Sequence, residues 1–73
     1  MGAREDIAED FEKAAAELEK AAAHCRIASR RYEAHDVPSG CAHAFASLGH
    51  VSKAKTLIQN NAEIHSGFAL ISE

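Results

Sequence analysis

Five histidines and two cysteines in a chain of 73 residues are the side chains best suited to chemistry. Neutral imidazole and thiolate are good zinc ligands, and an imidazole beside a thiol is the usual way to activate a cysteine nucleophile. Spacing along the chain argues against both. Helical metal sites draw ligands from positions three or four apart. No histidine or cysteine here has a His, Cys, Asp or Glu at either distance. His43 and His50 are seven apart, about 10.5 Å along a helix axis, too far to share one ion. Ligands would have to converge across helices, as His24, Cys25 and His50 at mid-height or His35, Cys41 and His43 near a turn. No metal ligand and no cofactor is assigned from the sequence, and a cross-helix His/Cys metal-binding bundle is kept as an alternative. Cys25 stands where the helix pattern expects a leucine and reads as a small buried hydrophobe. No acyl-transfer motif surrounds either cysteine, so the chain reads as a non-enzyme.

A second group of residues points to binding. Cys25, Tyr32, His43, Ser47 and His50 are expected to line one polar stretch of an otherwise apolar interior. Buried polar groups need partners, so the stretch is either a hydrogen-bond network that sets register or a small-ligand pocket. Arg26, Arg30 and Arg31 lie at the same end. They suit the negative end of a helix dipole, and they are also the candidate anion-binding residues.

The elements that position these groups follow from periodicity. Glu12–Leu18 (EKAAAEL) is followed at once by Glu19–Cys25 (EKAAAHC), a duplicated heptad in which only Glu17→His24 and Leu18→Cys25 change. Apolar residues fall at Ile7, Phe11, Ala14, Leu18, Ala21, Cys25, Ala28 and Tyr32, alternating four and three apart as a helix–helix seam requires. Alanine and glutamate favour helix, and neither proline nor glycine interrupts residues 3–35. Asp36-Val37-Pro38-Ser39-Gly40 is the stop: proline disfavours helix in the residue before it but fits the first turn of the next. Asp36 or Ser39 is the expected cap. A helix over about 3–35, a turn at 36–39 and a helix over about 39–71 form one all-α antiparallel hairpin.

Centring the turn on Val37 and Pro38 sets Leu18 opposite Leu57, Cys25 opposite His50 and Tyr32 opposite His43. The second helix then faces the first with His43, Ser47, His50, Ala54, Leu57, Asn61, Ile64 and Phe68. It also carries another apolar stripe: Cys41, Ala44, Phe45, Leu48, Val51, Ile58, Ala62 and Ala69. One hairpin cannot bury both, so a homodimer forming a four-helix bundle is expected, with the second helices central. Gly49 marks either a close helix approach or a break.

Composition bounds the rest. Sixteen alanines supply bulk-poor apolar surface, and so short a chain buries only about 60% of its unfolded surface; both favour self-association. The net charge of −3 argues against a generally basic nucleic-acid binder. Residues 1–36 carry six positive and nine negative side chains, whereas residues 37–73 carry only Lys53, Lys55, Glu63 and Glu73. No apolar run reaches the length of a membrane span. The charged start lacks the apolar region of a signal peptide, so a cytoplasmic setting with reduced thiols is expected. The expected function is a small oligomeric binding or regulatory module, acting through a protein or small anionic ligand at the polar turn-proximal end. An RNA- or nucleotide-binding hairpin dimer using the tip arginines is the alternative, as is a helix-turn-helix around residues 48–58, which lacks a basic recognition face.

Overall fold

The computed structural model describes the backbone of residues 2–72 and the side-chain surroundings of residue 2 and residues 4–61. It contains two helices, α1 (Ala3–Glu33) and α2 (Val37–Ser72), joined by residues 34–36. They pack antiparallel into a hairpin 54 × 24 × 13 Å across. The long dimension is that of 36 helical residues at about 1.5 Å each, and the short one leaves room for a single layer of helices.

Two devices make the turn. Asp36 N–H donates to the Arg31 carbonyl at 2.8 Å and His35 N–H to the Tyr32 carbonyl at 3.0 Å. This crossed pair of bonds satisfies the last carbonyls of α1 in a Schellman closure. It puts His35 at φ 62°, in the left-handed region usually given to glycine. Asp36 then caps α2: its side chain accepts from Ser39 N–H at 3.3 Å and its carbonyl from Gly40 N–H at 3.0 Å. The connection is thus shorter and centred earlier than Val37–Pro38, which shifts the register from the one expected.

The core is a column of small residues repeating every seven. Ala14, Ala21 and Ala28 of α1 are buried against Ser47, Ala54 and Asn61 of α2, with Gly40 at the turn end. The α2 face is the one the sequence indicates, as far as Asn61; Ile64 and Phe68 lie outside the described side chains. The α1 face differs. Ile7, Ala14, Ala21 and Ala28 point inward, but Phe11, Leu18, Cys25 and Tyr32 flank the seam and stay exposed. Asp10, Glu17 and His24, on the other flank, are half-buried instead. Helices in contact through alanine and serine sit too close to hold Phe11 or Leu18 between them.

Each flank of the seam therefore has its own character. On one, Leu18 lies beside Val51 and Ile58 over Ala54, with Phe11, Tyr32 and Leu48 also exposed. On the other are Lys13, Glu17, Lys53 and Leu57. The duplicated heptad explains the division. Ala14 and Ala21 hold equivalent central positions, and the two varied positions fall on opposite flanks: Glu17 and His24 on the polar side, Leu18 and Cys25 on the apolar side.

α2 runs unbroken through Gly49. A Cβ at that residue would meet nothing within 4 Å, so the glycine marks neither a break nor a close approach within the hairpin. A helix-turn-helix at residues 48–58 is absent for the same reason. Among the described residues, no helix is long and apolar enough to cross a membrane.

Candidate functional site

The polar flank assembles four titratable side chains from both helices. Glu17 and His24 are two helical turns apart on α1, and His50 and His43 are two turns apart on α2. Because the helices run antiparallel, one step of seven on each carries the pair Glu17–His50 onto the pair His24–His43. His50 Nδ1 lies 2.6 Å from Glu17 Oε2, where it donates to the carboxylate as a short, charge-assisted bond. His24 Nδ1 and His43 Nδ1 are 2.9 Å apart. The His24 and His50 rings stack at 5.4 Å with an interplanar angle of 10°. The result is a continuous chain, Glu17–His50–His24–His43, along the groove.

The His24–His43 contact has a definite meaning. Their centroids are 5.2 Å apart and the rings are tilted by 31°. That separation is the N–N gap plus one ring radius at each end, so the two nitrogens meet nearly head-on. One Nδ1 must carry the hydrogen and the other must accept it. Chelation of one ion would need both lone pairs to aim at a shared point off that line. Among the described residues, no group of three or more His, Cys, Asp or Glu side chains is arranged to hold a metal ion.

Electrostatics reinforce the Glu17–His50 end. The Glu17 carboxyl titrates below its ordinary value, chiefly because His50 donates to it, with Lys20 and Lys53 adding and partial burial opposing. Lys20 Nζ is 3.8 Å from the same carboxylate.

Beyond His43, toward the turn, Ile27, Arg30 and Arg31 join it around an open hollow of about 430 Å³, within the size range of small-ligand sites. Neither arginine makes an ion pair among the described residues.

The structure divides the residues singled out in the sequence. His43 and His50 come together through His24. Arg30 and Arg31 line the hollow with His43, whereas Arg26 is exposed and does not line it. Ser47 sits in the seam, its hydroxyl donating to the Ala44 carbonyl at 2.8 Å. Cys25 is exposed on the apolar flank. Tyr32 leaves the group altogether: its hydroxyl contacts Cys41 Sγ at 3.1 Å, and its ring lies where a Cβ on Gly40 would be, 2.7 Å away. The Cys41 bond, with desolvation, raises the Tyr32 phenol pKa. Cys25 and Cys41 are both free thiols.

Glu17 is not among the residues that the sequence singles out, and His24 appears there only in a possible cross-helix cluster with Cys25 and His50. The signal was present in the repeat itself, since the substitution Glu17→His24 recurs opposite two histidines that are also seven apart. Comparison with protein-family models, curated proteins and solved structures finds no match to this chain.

Proposed function

We propose that this chain is a self-associating helical binding module: a second copy covers its apolar flank, and its polar flank takes a small oxyanion at the turn-proximal end. The carrying observation is the division of the hairpin into two unlike flanks by a core of alanine, serine and asparagine. Each buried alanine methyl contributes only about 0.8 kcal/mol, while Phe11, Leu18, Tyr32, Phe45, Leu48, Val51 and Ile58 remain exposed. Stable domains close a core between two layers, and this hairpin is one layer 13 Å thick. A second copy supplies the missing layer. The broad side of the hairpin, 54 by 24 Å, exceeds the roughly 800 Å² per partner of a standard interface. The scarcity of charge on α2 removes one obstacle to burying it, and a four-helix bundle with α2 central fits best.

Ligand binding then falls to the opposite side. Arg30, Arg31 and His43 present planar N–H donors that suit a carboxylate, sulfate or phosphate group, and no carboxylate lines the hollow with them.

Sedimentation equilibrium and a sulfate titration followed by amide chemical shifts test the two halves. The expected result is a dimer or larger species at micromolar concentration, converted to monomer by Leu18→Glu with Val51→Glu. Shifts should concentrate at Ile27, Arg31 and His43, and Arg30→Ala with Arg31→Ala should abolish them. A fully helical monomer would overturn the assembly, and shifts absent or spread evenly would overturn the site. Absorbance near 260 nm that co-purifies and is lost at high salt would favour RNA phosphate as the occupant instead.

A further inference from the structure

His43 belongs to two constellations at once. It lines the arginine hollow, and its Nδ1 is committed to His24 Nδ1 at 2.9 Å. While that bond stands, His43 Nδ1 and its hydrogen or lone pair are unavailable to a ligand. We infer that the oxyanion site is gated by proton uptake at the His24–His43 pair. The inference rests on the anion reading above and adds its regulation.

The proton inventory gives the mechanism. With both rings neutral, one Nδ1 donates and the other accepts, the accepting ring carrying its hydrogen on Nε2. Uptake of one proton from solvent, at Nε2 of the donating ring, leaves the contact intact: that ring becomes an imidazolium still donating from Nδ1, and the neutral ring, its hydrogen on Nε2, still accepts. A second proton ends the contact. Both Nδ1 atoms then carry hydrogens aimed at each other, and the two rings are cations. An oxyanion entering between them accepts from both Nδ1–H groups and offsets both charges. Only N–H bonds form, with protons taken from solvent; nothing is oxidised or reduced.

The neighbourhood makes proton and anion uptake mutually dependent. Arg30 and Arg31 line the hollow with His43, and His50 stacks on His24; one step further along the groove Glu17 is bonded to His50 and lies within the field of Lys20 and Lys53. Glu17 is the carboxylate of this set, and it is already engaged by His50 and Lys20. His50 also lies stacked on His24, so charge on His24 falls beside a ring that Glu17 is compensating. Among the described residues, further positive charge on the pair therefore has no uncommitted counter-ion at hand, and a bound oxyanion supplies it. By linkage, whatever the anion gains from the protons, the protons gain from the anion.

Sulfate is the suitable probe, because its charge is constant over the range of about pH 5 to 8 in which imidazoles change theirs. Calorimetric titration of the intact protein, in pairs of buffers that differ in ionisation enthalpy, counts protons directly. The expected result is net proton uptake with each sulfate bound and an affinity that rises as pH falls, by up to about tenfold per pH unit for each proton taken up. The hydrogen shared by His24 and His43 should give a downfield resonance in the free protein and lose it on binding. His24→Phe keeps a ring against His50 but removes the partner nitrogen, and it should take up fewer protons per sulfate. The wild-type proton count does not depend on that variant folding. Sulfate binding with constant affinity and no proton uptake would overturn the gate and leave the anion site standing. No sulfate binding at any pH in the range would overturn both.

Discussion

At the scale of single residues, Glu17 is the group whose behaviour is most constrained. His50 donates to it at 2.6 Å, and its carboxyl titrates below the ordinary 4.5 in consequence. The sign follows from linkage. A depressed folded-state pKa contributes stability that is fully present above the unfolded value and fades as pH falls through the lower folded value. Urea midpoints measured downward from pH 5 should therefore fall in the wild type and fall less in Glu17→Gln. Equal slopes in both proteins would show that the carboxylate does not favour the folded state. His35 offers a second residue-scale outcome. It holds φ 62° without being glycine, a conformation costing an L-residue roughly 1 kcal/mol. His35→Gly should raise stability by up to that amount in chemical denaturation, and a loss would mean that the imidazole itself holds the turn. The sequence revealed the chemical types of these groups but not their partners, because a partner across the hairpin depends on register.

At the scale of elements, both helices were legible and the rotation of α1 was not. The four/three spacing from Ile7 to Tyr32 is satisfied by either of two seams sharing Ala14, Ala21 and Ala28: one completed by Phe11, Leu18 and Cys25, the other by Asp10, Glu17 and His24. Hydrophobicity favours the first. Close approach through alanine favours the second, since small side chains on both helices leave no gap for a phenyl ring. Ala21→Leu probes that closeness directly. Overpacking the column should cost about 1–3 kcal/mol, measured by thermal melting, although leucine is nearly as good a helix former as alanine. Gly49 is the contrasting case. It is exposed and helical, and a Cβ there would meet nothing from other side chains or the facing helix within 4 Å, so Gly49→Ala should stabilise by about 1 kcal/mol. If the substitution destabilises instead, another copy of the chain approaches α2 at that point.

At the scale of the whole molecule, the two-helix fold explains shape more readily than stability. Its core contains alanine side chains, Ser47 and Asn61. Asn61 Nδ2 donates to the Leu57 carbonyl at 2.8 Å and to Asp10 Oδ2 at 3.3 Å, so even this buried amide is partnered. Partnered polar groups specify alignment better than they drive folding. If a second copy provides the missing driving force, stability must depend on concentration. The melting temperature should rise as protein concentration is raised a hundredfold, and a constant value would mean that the single hairpin stands alone.

Two facts were determined by sequence alone: that the chain forms two helices, and that they double back at residues near Asp36. Both are local, resting on propensity, capping and the proline stop, which act over a few residues. The inward face of α2 was legible too, because its small and polar residues repeat in one phase only. The tertiary structure decided what lies beside what. It turned Leu18 and Tyr32 outward, separated Tyr32 and Cys25 from His43 and His50, and joined Glu17, His50, His24 and His43 into one chain. The reason is geometric: a helix rotates by about 100° per residue, so a modest change in which stripe touches its neighbour exchanges a phenylalanine for an aspartate. That choice is settled by how closely two backbones can approach, a property of the pair that neither helix carries alone.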